Sequence, residues 1–163
     1  IPDGNHSYRL NYSIFHLGCK VKLLKSKDFN LEVDLYQNVN NYNLNQNVPN
    51  EFKKEKTGFV VGVQYGNIAK KKTWMYKLSF ATLQRFSIVD FMAQNDWARW
   101  DYSSYDSPDG RLSNFRGIEL VGGYSISDKI NLIVKYYNVG QIIPYGLSKE
   151  TGQRIRFDIN IRI

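Results

Sequence analysis

The sequence predicts an all-β fold, an antiparallel up-and-down barrel, on three observations. From Arg154 to Ile163 polar and apolar side chains alternate without a break. That puts Ile155, Phe157, Ile159, Ile161 and Ile163 on one face of a strand and Arg154, Arg156, Asp158, Asn160 and Arg162 on the other. Upstream the same two-residue period returns in six further stretches, joined by connections that are short and long in strict turn. Aromatic residues on the apolar face gather toward both ends of these stretches. An apolar face this pure, opposite a charged one, predicts a transmembrane barrel with lipid on its apolar side and a wet lumen on the other.

The first stretch runs from about Ser7 to Leu24. Tyr8, Leu10, Tyr12 and Ile14 share one parity and Phe15, Leu17, Cys19, Val21 and Leu23 the other, so a bulge is expected near Ile14 and Phe15. The second, about Phe29 to Val39, sets Phe29, Leu31, Val33 and Leu35 against Asn30, Glu32, Asp34 and Tyr36. Asn40 to Lys56, crowded with Asn and without a period, reads as a long loop. The third stretch, Thr57 to Asn67, carries Phe59, Val61, Val63 and Tyr65 on its apolar side. The fourth, Thr73 to about Ile88, carries Trp74, Tyr76, Leu78, Phe80 and Phe86. Alternation then fails until about Asn114. The fifth, Phe115 to Ile126, places Ile118, Leu120, Tyr124 and Ile126 outward, with Arg116, Glu119, Val121 and Ser125 read as their opposite face; the sixth, Lys129 to Val139, places Ile130, Leu132, Val134 and Tyr136 outward. Gly140 to Gln153 is a loop before the closing strand.

The bulk composition fits. The 163 residues suit one domain, 1–163, with its own core. No run approaches the roughly 18 apolar residues of a membrane helix, which excludes helical spanning. A barrel needs only every second residue apolar, and the mean hydropathy of -0.46 is compatible with such averaging. The net charge of +7 and pI near 9.4 fit a basic lumen or a solvated surface. Nucleic acid is not an expected partner, because the basic residues are spread over many strands and interleaved with acids. Cys19 is alone, so there is no internal disulfide and no thiolate metal cluster. No metal-ligand spacing or nucleotide-binding motif occurs, and neither a metal nor a cofactor is expected.

Short turns near Ser26, Lys71 and Asp128 alternate with long loops near Asn45, Asp101 and Tyr145. In outer-membrane barrels short turns are periplasmic and long loops extracellular, which puts the C-terminus in the periplasm. Seven strands is an odd number, whereas a bacterial single-chain barrel closes with an even one. The expectation is therefore the C-terminal part of a larger barrel; the alternative is an eighth strand within Val89 to Tyr102. Ile1 to Tyr8 is polar and carries no signal peptide, as in a mature form or a piece of a longer chain.

Trp74 to Ile163 resembles the C-terminal region of the porins of Bacteroidetes and related Gram-negative bacteria. The resemblance is carried by TWMYKLSFATLQRFSIVDF, a long Asp-containing loop, NFRGIELVGGYSISDKINLIVKYYNV with the Asn-x-x-Gly opening at Asn114 and Gly117, and the terminal RIRFDINIRI. It covers a little over half of the chain, and it implies an outer-membrane barrel passing small solutes by diffusion. The chain departs from the usual aromatic barrel terminus by ending on Ile163, with Phe157 the nearest aromatic.

Candidate lumen-lining residues are Arg9, Lys20, Lys22, Lys77, Arg85, Arg116, Lys135, Arg154, Arg156 and Arg162, with Glu32, Asp34, Glu119 and Asp158. Neighbouring strands bring several within pairing reach, and the positive excess would favour anions in an open lumen. Candidate lipid-facing aromatic belts are Phe29, Tyr65, Trp74, Tyr76 and Tyr124 near short turns, and Phe59, Phe86, Tyr136 and Phe157 toward long loops. The loop from Val89 to Asn114 offers Asp96, Trp97, Trp100 and Asp101. Its aromatics suit stacking on a sugar or folding inward to narrow a pore, and its carboxylates lack the spacing of a calcium loop. Self-packing at the surface is the default for such a loop. His16 with Ser13 has no nucleophile motif around it, so a lipid hydrolase is not expected.

The expected partners are membrane lipid and lipopolysaccharide, small solutes, and other outer-membrane proteins or further copies of the chain, for which the barrel would also serve as a membrane anchor. The competing reading is a soluble lipocalin-like barrel with an apolar ligand pocket. The two differ in which face is outside. A soluble barrel hides Ile155, Phe157 and Ile159, and a membrane barrel displays them.

Overall fold

The computed structural model describes residues 11–24, 28–46, 48–89, 96–97, 113–144 and 147–162. Seven strands form one sheet: β1 (Ile14–Leu24), β2 (Phe29–Asn38), β3 (Thr57–Gly66), β4 (Trp74–Leu83), β5 (Phe115–Ser127), β6 (Ile130–Gln141) and β7 (Thr151–Ile161). Each pairs antiparallel with the next, in the spatial order of the sequence. This is an up-and-down meander, and it is open. Among the described residues β1 pairs with β2 alone and β7 with β6 alone. The expected barrel is thus present as its sheet and not as a closed ring. Of the candidate eighth-strand segment, 90–95 and 98–102 lie outside the described residues, and Asp96 and Trp97 form a turn.

Register follows the alternation read from the sequence. Leu17 faces Leu35, Leu35 faces Phe59, Val61 faces Phe80, and Phe80 faces Ile118, so one face is apolar across the sheet. That face is open to its surroundings, with Phe157 75 % and Ile159 68 % exposed. Side chains of the opposite face are covered in the middle strands, where Tyr137 is 1 % exposed. There Ala81, Leu83, Phe115, Tyr137 and Val139 pack together, with Trp97 of the β4–β5 connection laid against them.

Two cap systems hold the strand ends. At the short-turn rim Asp28 adopts φ 47° and Gly66 φ 75°. A Cβ on Gly66 would stand 2.3 Å from the Trp74 carbonyl oxygen, so the turn requires glycine. The Gly66 amide donates to the Asp28 carbonyl at 3.1 Å and the Lys71 amide to Asp128 Oδ1 at 2.9 Å, which ties the three short turns together. At the other rim Tyr42, Val48, Phe52 and Phe86 form a second cluster, with Tyr12 and Ile143 packed on it.

Three expectations are corrected here. Ile14 and Phe15 pair in unbroken register with Asn38 and Gln37, and the irregularity falls between Lys22 and Leu24 instead. The parity change has another cause: Tyr12 joins the second cluster and Ile14 turns to the covered face, where it lines a cavity. Phe86 is not a belt residue. The chain leaves the sheet after Leu83, and Phe86 is buried at 2 % exposure against Tyr42, centroid to centroid 4.7 Å. Arg116 shares the parity of Ile118 and pairs with Thr82, so it sits on the apolar face at the long-loop end and not with the lumen set.

Candidate functional site

The covered face carries an ionic ladder that the strand register assembles. Lys20 lies opposite Glu32 and binds its Oε1. Lys77 reaches the other oxygen, Oε2, at 2.9 Å from β4, across the whole width of β3. The intervening residue is Gly62, where a Cβ would meet Lys77 Cε and Ser79 Oγ at 3.3 Å. The missing side chain is the channel through which Lys77 crosses. Gly18 acts similarly two strands over, on β1: a Cβ there would stand 2.9 Å from Asp34 Oδ1. Asp34 leans over that gap to His16 Nε2 at 2.9 Å, and the His16 ring stacks on Tyr36 at 4.6 Å.

A second network lies at the β7 end. Arg156 donates through Nε to Asp158 at 2.7 Å and through Nη1 to both oxygens of Asp96, at 2.9 and 2.7 Å. Arg154 donates to the Asp96 carbonyl at 3.2 Å, and Lys135 lies 3.7 Å from Asp158. Next to Asp96, Trp97 stacks on Phe115 and meets Tyr137 edge-on, each at 5.7 Å between centroids. The Asp96–Trp97 turn is thus fastened onto the charged face by its carboxylate and its indole. Between Trp97, Ile88 and Val89 on one side and the strands on the other lies a cavity of about 560 Å³.

Most of the sequence-derived set is brought together on this face: Lys20, Lys22, Glu32, Asp34, Lys77, Glu119, Lys135, Arg154, Arg156 and Asp158, with Arg162 continuing the parity of β7. Arg85 is elsewhere. It is 3 % exposed in the turn after β4, where its carbonyl accepts from Ser113 Oγ at 2.9 Å and its guanidinium lies 4.9 Å over the Phe86 ring. Arg9, Trp100 and Asp101 lie outside the described residues.

On the apolar face, register brings Phe29, Tyr65 and Tyr76 into one row, and Trp74 packs on Tyr124 at 4.3 Å. Phe157 falls in the row of Val134, Gly122 and Tyr76, and so stands with the short-turn aromatics and not, as expected, toward the long loops, while Tyr136 falls in the row of Leu120 and Leu78. At the long-loop end Phe59 lies 5.7 Å from Phe80.

Sequence reading missed Asn38 and Asn114, two buried side chains that help to fix the long-loop rim. Asn38 donates to the Tyr42 hydroxyl and to the Phe86 carbonyl, each at 2.9 Å, and accepts from the Asn40 amide at 3.1 Å. Asn114, at φ 62°, donates to the Ile143 carbonyl at 2.7 Å and accepts from the Ile143 amide at 3.0 Å. In the sequence Asn114 stands out only as half of the Asn-x-x-Gly opening. The other half is also explained: a Cβ on Gly117 would lie 2.4 Å from the Asn138 carbonyl oxygen.

Titratable groups of the turns and loops are perturbed in both directions. The Lys22 ammonium, hydrogen bonded to Asp28 at 2.6 Å, holds that carboxyl below its ordinary value. Burial pushes the Tyr42 phenol and the Glu55 carboxyl up. Among the described residues no group of three or more His, Cys, Asp or Glu is placed to hold a metal ion, and no helix is long and apolar enough to cross a membrane. Compared with protein-family models, characterised proteins and solved structures, the chain matches none.

Proposed function

We propose that the chain is the wall of a porin-like barrel in a bacterial outer membrane. Its apolar face meets lipid acyl chains and its charged face lines a path for small, preferentially anionic, solutes. One observation carries the reading: the large apolar side chains of the strands stand exposed on one face, while the ion pairs and the infolded Asp96–Trp97 turn occupy the other. A contiguous apolar surface of this extent is costly in water, since each large apolar side chain moved out of water gains about 1.5–3 kcal/mol. A soluble ligand-binding barrel would turn Ile155 and Phe157 inward, against the side that the β4–β5 connection covers.

Strand length supports the same reading. The shortest strands have 10 residues, and about 9–11 tilted residues cross a bilayer. Closure belongs to the proposal as well. In an antiparallel meander β1 and β7 run in the same direction, so an odd number of further strands must stand between them for every pair to be antiparallel. Bare strand edges cannot face lipid, because their backbone groups would have no partners. The excess of Lys and Arg over Asp and Glu on the charged face supports an anion preference. With the short turns periplasmic, β7 ends on the periplasmic side, and lipopolysaccharide meets the long-loop rim.

The test begins with detergent dependence of the membrane-extracted protein and its gel mobility before and after heating. The expected result is aggregation without detergent, faster mobility unheated, and planar-bilayer conductance biased toward anions in a salt gradient. A monodisperse protein in plain buffer overturns the reading.

A further inference from the structure

The cavity between Trp97 and the strands has a chemistry that the diffusion reading does not use. Its volume, about 560 Å³, lies in the range of roughly 300–1,000 Å³ typical of small-molecule sites. Its apolar lining is Val60, Leu83 and Phe115 on the strands, with Trp97 facing them from the other side. Its polar lining, His16, Asp34, Lys77, Ser79 and Glu119, lies on the same sheet face as those strand residues. The polar groups are already engaged with one another or with neighbours. Asp34 uses Oδ1 on His16, Lys77 holds Glu32 Oε2, and Ser79 Oγ donates to Glu119 Oε2 at 3.3 Å. An ionised carboxylate has about four acceptor positions and an ammonium three donors, so each retains hydrogen-bonding capacity beyond these contacts.

Resting on the porin-like reading, we infer that this cavity is a binding site for a neutral polyhydroxylated solute, a mono- or disaccharide, along the solute path. The charge pattern selects against ions. Asp34 and Glu119 repel an anion and Lys77 repels a cation, whereas hydroxyl groups donate to the carboxylates and accept from the ammonium. Trp97, facing the strands, suits the C–H face of a sugar ring, whose rim of hydroxyls then reaches the polar side chains of the sheet. The site therefore sorts uncharged solutes by saturable binding, separately from the electrostatic bias of the lumen.

The test is titration of the detergent-purified protein with glucose, maltose and sucrose, read by calorimetry and by sugar block of the ion current in planar bilayers. The expected result is saturable binding of at least one sugar with a Kd in the millimolar range, weakened about tenfold or more by Asp34→Asn and by Trp97→Leu. These variants act from opposite walls, so misfolding of one leaves the other informative. Lys70→Ala, in the exposed turn before β4 and outside the cavity, should bind as the parent does. Conductance with no saturable sugar binding up to roughly 100 mM overturns this inference and leaves the porin-like reading standing. Tighter binding of glucosamine or gluconate than of glucose also overturns it. A protein that neither needs detergent nor conducts fails the porin-like reading itself.

Discussion

The Arg156 guanidinium donates to both oxygens of the Asp96 carboxylate, at 2.9 and 2.7 Å, although the two residues are 60 positions apart. Arg156 lies on the last strand and Asp96 between β4 and β5 in sequence, so this contact holds the Asp96–Trp97 turn on the charged face. The Asp96 side chain is 17 % exposed and that of Arg156 45 %, which places the bond at the edge of solvent. Asp96→Ala should therefore cost only about 1 kcal/mol, because Arg156 keeps Asp158. Its larger effect should be on transport: releasing the latch should raise single-channel conductance and strengthen the anion bias, both read in planar bilayers. Conductance identical to the parent would show that the latch does not narrow the path.

Asn114 joins the start of β5 to the β6–β7 connection through its side chain and a left-handed backbone. Asn114→Gly keeps the backbone conformation and loses the two side-chain bonds. Asn114→Ala loses the bonds and also strains φ, so it should be the worse of the pair, at about 2–4 kcal/mol against about 1–3. Thermal unfolding in detergent checks the order of the two variants.

Gly62 is a gap that lets a cation cross a strand. Gly62→Val should push Lys77 away from Glu32, leaving Glu32 to Lys20 alone. The expected cost is about 1–3 kcal/mol from crowding on the covered face. A double-mutant cycle with Lys77→Met should show strong coupling, since both changes remove one contact. Additive effects would mean that the valine acts only by crowding.

Trp74, 55 % exposed beside Tyr76 and Tyr124, belongs to the aromatic cluster nearest the short turns. In a protein with Trp97 and Trp100 changed to Phe, its fluorescence should be quenched by phospholipids brominated near the headgroup more than by those brominated at the chain end. Equal quenching by neither would remove the apolar face from the bilayer.

The strands were legible because a two-residue period writes the faces of a sheet directly into the sequence. Leu17, Leu35 and Phe59 needed no tertiary information to be placed together. What the period cannot mark is where a strand stops. Phe86 continues the parity of Phe80, yet the chain turns after Leu83, with the Ser87 amide donating to the Gln84 carbonyl at 3.1 Å. Arg116 was read by its charge, although its even number already set it beside Ile118. Asn38 and Asn114 act by hydrogen bonding to backbone far away in sequence, a role that leaves no local pattern. The Asp96 latch and the His16–Asp34 pair were visible only as residue types and depend on which loop and which strand lie opposite.

Glu55 sets the last prediction. Its Oε2 is buried without a hydrogen-bond partner among the described residues, in the loop whose backbone Glu55 carbonyl accepts from the Phe86 amide at 2.7 Å. Burial raises the carboxyl above its ordinary value of 4.5, so between that value and the folded one the native state binds more protons than the unfolded state. Stability must then fall as pH rises through this window. Asp28 has the opposite sign: its carboxyl is lowered from 3.8 by Lys22, and its contribution is lost only as pH falls below that ordinary value toward the folded one. The two windows lie on opposite sides of about pH 4 and can be read separately. Melting temperature in detergent should decline in the parent as pH rises above 4.5, and Glu55→Gln should flatten that decline while leaving the acid limb unchanged. Asp28→Asn should do the reverse. If Glu55→Gln leaves the neutral limb as steep as before, the buried carboxyl is not what couples the long-loop cap to pH.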